Sequence, residues 1–228
     1  MNNSVELIGY YGGDKSHALS AWTSTSRELD ESKSQRIGKL LHMLASAGHH
    51  TPFEKSSLHF LVNTDIATHI QLLKHRIGVS INAESARYKE LKEDKYYLPE
   101  DWEGIEVSNQ VWSPVSVEEP FTLNGDSWLE ALERYAQLGN RLYHQCIADL
   151  EPVLGRKRAK ESARFFKTYN SQITADIMFN WRSFYHFLNL RNKEDAQLEI
   201  RELAEKMLNL VKNLQDNPFK HTIEAFKV

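Results

Sequence analysis

The sequence of 228 residues predicts an α+β protein. Short apolar runs bounded by turn residues, at Val5–Tyr11, Ser57–Thr64 and Tyr169–Phe179, read as strands. Longer segments repeat their apolar residues at the helical period. No internal repeat, low-complexity tract or clean domain boundary interrupts them, so residues 1–228 read as a single domain.

Val5–Tyr11 ends in Gly12-Gly13 and gives a first strand. Ser32 and Ser34 precede a helix carrying Ile37, Leu40, Leu41, Leu44 and Ala45, stopped by Gly48. In Ser57–Thr64, Leu58, Phe60 and Val62 alternate with His59, Leu61 and Asn63, the pattern of a half-buried strand. Asp65 is placed to cap a helix with Ile66, Ile70 and Leu73, ending near His75-Arg76. Residues 78–88 read as a polar loop. Residues 94–125 hold three prolines and two tryptophans and read as a long ordered excursion, because those aromatics need burial. Helices are expected over Trp128–Leu150, Arg156–Lys167, Trp181–Leu190 and Lys193–Leu214.

Composition excludes several classes. There are 28 basic against 31 acidic residues, a net charge of −3, which disfavours a generic nucleic-acid surface. No apolar stretch of about 18 residues is present to span a membrane. The N-terminal Met1-Asn2-Asn3-Ser4-Val5 lacks a signal pattern. The single cysteine, Cys146, permits no intramolecular disulfide and fits a reducing, cytoplasmic setting.

Three segments could carry chemistry. The first runs from Lys74-His75-Arg76 through Ser80, Asn82 and Glu84 to Ser85-Ala86-Arg87-Tyr88. A solvated loop can have this composition, but arginine, serine and glycine-flanked backbone also suit a phosphate. Neither Ser85 nor Arg87 has a partner evident in the local sequence. In the second, Arg182, His186 and Asn189 form one polar stripe of a helix whose other side carries Phe184, Phe187 and Leu188. In the third, Gly48-His49-His50-Thr51-Pro52-Phe53-Glu54, adjacent histidines diverge on regular structure and no zinc motif accompanies them, so no metal is expected.

Together these segments resemble the flavin-dependent thymidylate synthases (ThyX). The family's Arg-His-Arg, gap, Ser-x-Arg-Tyr signature is matched by Lys74-His75-Arg76 and Ser85-Ala86-Arg87-Tyr88. Its Gly-His-x-Thr-Pro-Phe-Glu segment is matched at 48–54. Ala163-Arg164, Asn180-Trp181-Arg182, Leu188-Asn189-Leu190-Arg191 and Ala196-Gln197-Leu198-Glu199-Ile200 follow in the family's order. The resemblance implies an antiparallel or mixed sheet flanked by helices. It also implies reductive methylation of dUMP at C5 to dTMP with FAD, NADPH and methylenetetrahydrofolate, in a homotetramer with shared active sites. Ser24, Thr51, Lys74, His75, Arg76, Asn180, Arg182 and His186 would contact FAD. Gln71, Lys74, Glu84, Ser85, Ala86, Arg87, Arg164 and Arg191 would hold the nucleotide. Arg191, at the uracil N3/O4 edge, and His49, toward folate, would be catalytic.

The chain departs from the family in places. Lys74 replaces an arginine, so a planar fork becomes a point charge. The loop from Arg76 to Ser85 is one residue longer, the extra residue lying before Asn82. Ala83 stands where the family has glutamate, with Glu84 one place later. Asp195, Lys167-Thr168 and Trp22 are further substitutions. These changes keep open a related enzyme that methylates or hydroxymethylates another pyrimidine nucleotide, such as UMP. A flavin or nucleotide sensor, or an RNA contact through Arg156-Lys157-Arg158-Lys160, is the reading from another class.

Overall fold

The computed structural model describes residues 3–26, 28–107 and 127–228. The expected excursion is therefore described only over 94–107; Trp112, Pro114 and Pro120 lie outside the described residues. The elements run β1 (Ser4–Tyr11), α1 (Asp14–Trp22), α2 (Glu31–Ser46), β2 (Ser57–Asp65), α3 (Ile66–Leu72), β3 (Val79–Ala83), α4 (Trp128–Leu154), α5 (Arg156–Ala163), β4 (Gln172–Phe179), α6 (Trp181–Arg191), α7 (Leu198–Lys212) and α8 (Lys220–Phe226). The described residues fall into two compact units. One, the sheet unit, takes Asn3–Asn63, Thr68–Ala83 and Thr174–Val228. The other, the helical unit, takes Thr64–Ala67 and the described part of Glu84–Ile173.

In the sheet unit the strand order is β1-β2-β4-β3. β1 pairs antiparallel with β2, and β3 with β4, Asn82 lying opposite Asp176. The alternation read from β2 holds: Leu58, Phe60 and Val62 are buried, joined on the same face by Ala175, Ile177 and Phe179 of β4. On the opposite face His59 Nε2 meets Asp176 Oδ1 at 2.5 Å. Helix α6 adds Trp181, Phe184 and Phe187, fully buried, with Phe184 stacked on Phe60 and Phe187 against Phe179. Ile200, Leu203, Met207 and Val211 of α7 complete this core.

Three elements differ from expectation. β3 occupies part of the expected loop. Val79, Ile81 and Ala83 alternate inward with outward Ser80 and Asn82, which a two-sided edge strand allows. α1 and α8 have no clear local signal and are held by distant partners. Asp14 accepts the Thr222 and His221 backbone N–H groups at 2.8 Å each and the Thr222 hydroxyl at 2.6 Å. Gly13 (φ 127°) allows this approach, since a Cβ there would lie 2.4 Å from the Pro218 carbonyl oxygen.

In the helical unit α4 begins with a reciprocal cap. Glu130 N donates to Ser127 Oγ at 3.2 Å, and Ser127 N donates to Glu130 Oε2 at 2.9 Å. Asp65 is the buried last residue of β2 and directly precedes α3, whose first two N–H groups donate to Ser171 O and Tyr169 O. The basic helix ends at Ala163 and tightens into a 3-10 turn, Arg164–Phe166. The Lys167 side chain is 5% exposed, its Nζ 2.6 Å from Asn140 Oδ1, 2.9 Å from Asp94 Oδ1 and 4.4 Å above the Tyr143 ring.

His17 of α1 is fully buried between Thr222 Oγ1 (3.0 Å) and Ser56 Oγ (2.8 Å), and burial pushes its pKa from the usual 6.5 down to about 3. A proton that the unfolded chain takes up below pH 6.5 is thus refused by the fold until about pH 3, so stability falls as pH drops through that window. At pH 5 the loss from this residue is about 2 kcal/mol relative to pH 7.5. Urea unfolding at the two pH values should show it, and His17→Gln should flatten the difference.

Candidate active site

In the sheet unit, three side chains from two distant stretches of the chain converge. Arg191, in the last turn of α6, donates its Nε–H to His75 Nε2 at 3.1 Å, and its Nη1 lies 3.3 Å from Gln71 Oε1. The helix C-terminus favours a cation at that position. His75 is 8% exposed, its ring edge-on to Phe187 at 5.1 Å. Burial first, then the charges of Arg191 and His186, push its pKa down to about 4. The imidazole is therefore neutral and, accepting at Nε2, carries its proton on Nδ1. Gln71 is hydrogen-bonded in turn to the Gln197 side chain, which donates to Glu199 at 2.7 Å.

The turn after α3 places Lys74 and Arg76 outward on either side of buried His75. Among the described residues neither cation has a hydrogen-bond or ion-pair partner. Their chain continues through Ile77-Gly78 onto the start of α6. Asn180 caps that helix, its Oδ1 accepting Ser183 N at 2.9 Å, and donates its own N–H to Gly78 O at 3.2 Å. Ser183 Oγ donates to Ile77 O at 2.6 Å. The polar stripe of α6 is as expected: Arg182, His186 and Asn189 are exposed. Arg182 Nη1 is engaged by Glu54 Oε1 at 2.6 Å.

The 48–54 segment divides its histidines as the sequence suggests. His49 is exposed, whereas His50 packs toward Phe226 (5.2 Å between ring centroids) and Tyr185 (6.1 Å). Thr51 opens a 3-10 turn, Thr51–Glu54, and is exposed. Ser24 is exposed just beyond α1, its hydroxyl donating to Ala21 O at 3.0 Å.

In the helical unit the signature residues lie in a turn closed by Tyr88 N and Lys89 N on Ser85 O. Ser85 Oγ accepts Arg87 N at 3.3 Å, and Ala86 is half-buried. Arg87 has a partner that local sequence did not show: its Nε–H donates to Glu161 Oε1 of α5 at 2.8 Å. That hydrogen bond holds the Glu161 carboxyl below its ordinary range. Lys160 Nζ donates to Tyr88 O at 2.8 Å. Glu84 is paired with Lys89 at 2.5 Å, and Arg164 is exposed at the start of its turn.

Sequence reasoning gave no role to Gln197, Glu54 or Glu161, which the fold places on Gln71, Arg182 and Arg87. The signal for Gln197 and Glu54 was present, since both lie inside segments singled out as motifs. Glu161 shares α5 with the basic run but is masked by it.

The arrangement can bind anions and polarise a heterocycle. Two cations with no partner among the described residues, beside a neutral histidine, suit a diphosphate, and a half-buried guanidinium with no carboxylate partner among them suits a carbonyl that gathers negative charge. Among the described residues no group of three or more His, Cys, Asp or Glu is arranged to hold a metal ion, and no helix is long and apolar enough to cross a membrane.

Residues 6–215 match the family model for thymidylate synthase complementing protein. A flavin-dependent thymidylate synthase of Streptomyces coelicolor is 29% identical over 218 residues, 90% of this chain and 84% of the relative. One from Kosmotoga olearia is 29% identical over 210 residues, 92% of this chain and 85% of the relative. The fold is similar to that of PolB, a UMP/dUMP methylase from Streptomyces cacaoi bound with 5-Br dUMP. The TM-score is 0.70 and the identity 25%, over 99% of this chain and 95% of that one.

Gly78 tests the coupling of the signature turn to α6. Its φ is 66°, and a Cβ would lie 2.3 Å from Ser183 Oγ and 2.4 Å from Asn180 Nδ2. Gly78→Ala should cost about 2 kcal/mol or more, from the left-handed backbone plus the displaced cap. Thermal unfolding reads it, and a midpoint within a degree of wild type would refute the coupling.

Proposed function

This chain belongs to the thymidylate synthase complementing protein family, that of the flavin-dependent thymidylate synthases, and is a methyltransferase by that membership; on that premise we propose that it methylates dUMP reductively at C5 to give dTMP. The observation that carries this reading is the convergence of Gln71, His75 and Arg191 around an uncompensated guanidinium. Arg191 faces the N3/O4 edge of uracil and stabilises negative charge there, which raises electron density at C5. Gln71 and Lys74 hold the base side. Ser85, Ala86, Arg87 and Arg164 hold the phosphate. Glu84, already paired with Lys89, lies beside them as an orienting group.

FAD fits the donor set. Unpaired Lys74 and Arg76 flank His75 and offer cations to a pyrophosphate; Ser24, Thr51, Asn180, Arg182 and His186 supply further polar contacts. When bound and reduced by NADPH, the flavin supplies a hydride, and methylenetetrahydrofolate supplies the carbon. His49, outward from its segment, contacts the folate. The protein acts in the cytoplasm as a homotetramer, with each active site drawing on more than one subunit and with no nucleic-acid or membrane partner.

A second reading, methylation of UMP as well as dUMP, is favoured by the likeness to PolB and by the longer loop before Asn82. Turnover of dUMP against UMP with the same folate and reductant decides between them.

The test is assay of the yellow protein, with bound flavin identified by mass. Arg191→Ala should lower kcat about 100-fold or more, since one lost donor to a developing oxyanion costs on that order. Its thermal midpoint and flavin content should stay close to wild type. Wild-type kcat in this variant would remove Arg191 from the chemistry.

A further inference from the structure

The Arg87–Glu161 pair has an orientation that matters for a phosphate. Glu161 takes only the Nε–H of the guanidinium, at 2.8 Å. Among the described residues the two terminal nitrogens, Nη1 and Nη2, have no hydrogen-bond or ion-pair partner, the guanidinium lying 5.8 Å from the centroid of the Tyr88 ring. The Arg87 side chain is 45% exposed and that of Glu161 only 16%. The pair is thus anchored at its acidic end and open at its basic end.

We infer that Glu161 is a positioning residue for nucleotide phosphate: it grips Arg87 through Nε and leaves Nη1 and Nη2 to present paired donors to the phosphate oxygens. This rests on the reading that Arg87 binds the phosphate. An arginine free to sample its rotamers loses that freedom on binding, and a planar fork already held at one edge loses less.

A carboxylate near a phosphate site would ordinarily repel the ligand. Here its charge is offset on α5 itself. Arg158 Nη1 lies 3.6 Å from Glu161 Oε2, and Lys157 also acts on the carboxylate, so one negative charge faces three cations counting Arg87. Lys160 fixes the backbone of the same turn through Tyr88 O. Arg156 is taken by Glu151 at 2.8 Å and Glu90 at 3.3 Å. The basic run 156–160, which suggested an RNA contact, is therefore a scaffold for the signature turn: three of its four cations are engaged within the protein.

The experiment compares binding of dUMP with binding of deoxyuridine, so that only the phosphate contribution is read. The full-length proteins are wild type, Arg87→Ala, Glu161→Ala and Glu161→Gln, each checked by circular dichroism and thermal midpoint. Glu161→Ala should weaken dUMP about five- to tenfold and leave deoxyuridine unchanged, as expected for freeing an arginine. Glu161→Gln, whose amide oxygen still accepts the Nε–H, should stay within about twofold of wild type. Arg87→Ala should lose about tenfold or more, a charged hydrogen bond's worth. If Glu161→Ala keeps the wild-type preference for dUMP, or binds dUMP more tightly, while Arg87→Ala loses it, Glu161 does not position Arg87 and the inference fails. If Arg87→Ala keeps the preference, the phosphate reading of Arg87 itself fails.

Discussion

The hydrogen bond from Arg191 Nε to His75 Nε2 exists only while the imidazole is neutral, and the arrangement of the sheet unit's polar cluster depends on that condition. A protonated His75 would present an N–H to a guanidinium that also has only donors, and like charges would meet in a half-buried site. Packing enforces neutrality. Phe187 lies edge-on to the ring at 5.1 Å, and Phe187 is fixed in turn by Phe179 and Phe184 over the sheet. The hydrophobic core thus sets a protonation state, and that state keeps a second cation away from the Arg191 guanidinium. The same burial ties the site to acid stability, because both His75 and His17 resist a proton that the unfolded chain would accept.

The elements that could be read from sequence are those whose stability is local. β2, α2, α4 and α6 each bury one periodic face, and the alternation or helical stripe shows it, while β1, only half-buried on its inner side, shows as an apolar run ended by Gly12-Gly13. α1 and α8 depend on each other through Asp14, His17 and Thr222, which are about two hundred residues apart in the chain. No window-based pattern contains both halves of that interaction. β3 failed for another reason. Its inward residues are only half-buried and its outward ones polar, so the alternation is shallow and a Gly-led polar stretch looks like a loop.

The candidate site was legible in its membership and illegible in its pairing. The motifs name the proposed site residues, and Gln71, His75 and Arg191 among them converge in the fold, but the sequence could not say which charges are already used. Glu54 takes Arg182, Glu161 takes Arg87 and Lys89 takes Glu84, whereas Lys74 and Arg76 remain unpaired among the described residues. Free and engaged cations have the same letters. Only the fold separates a cation with no partner among the described residues from one that is already held.

The two arginines of the nucleotide reading show why that separation has chemical content. A group that polarises uracil must meet charge that develops during reaction, and a carboxylate on its own nitrogens would cancel the field it offers. Arg191 is accordingly held by an imidazole and a glutamine oxygen, both neutral. A phosphate is charged before it binds and gains from geometry as much as from field, so its arginine can tolerate a carboxylate that fixes the fork. Arg87 is held by Glu161, with Arg158 nearby to offset the charge. Neutral partners where charge must appear, and an anionic partner where charge is already present, make the choice of second residue as specific to the proposed reaction as the arginines themselves.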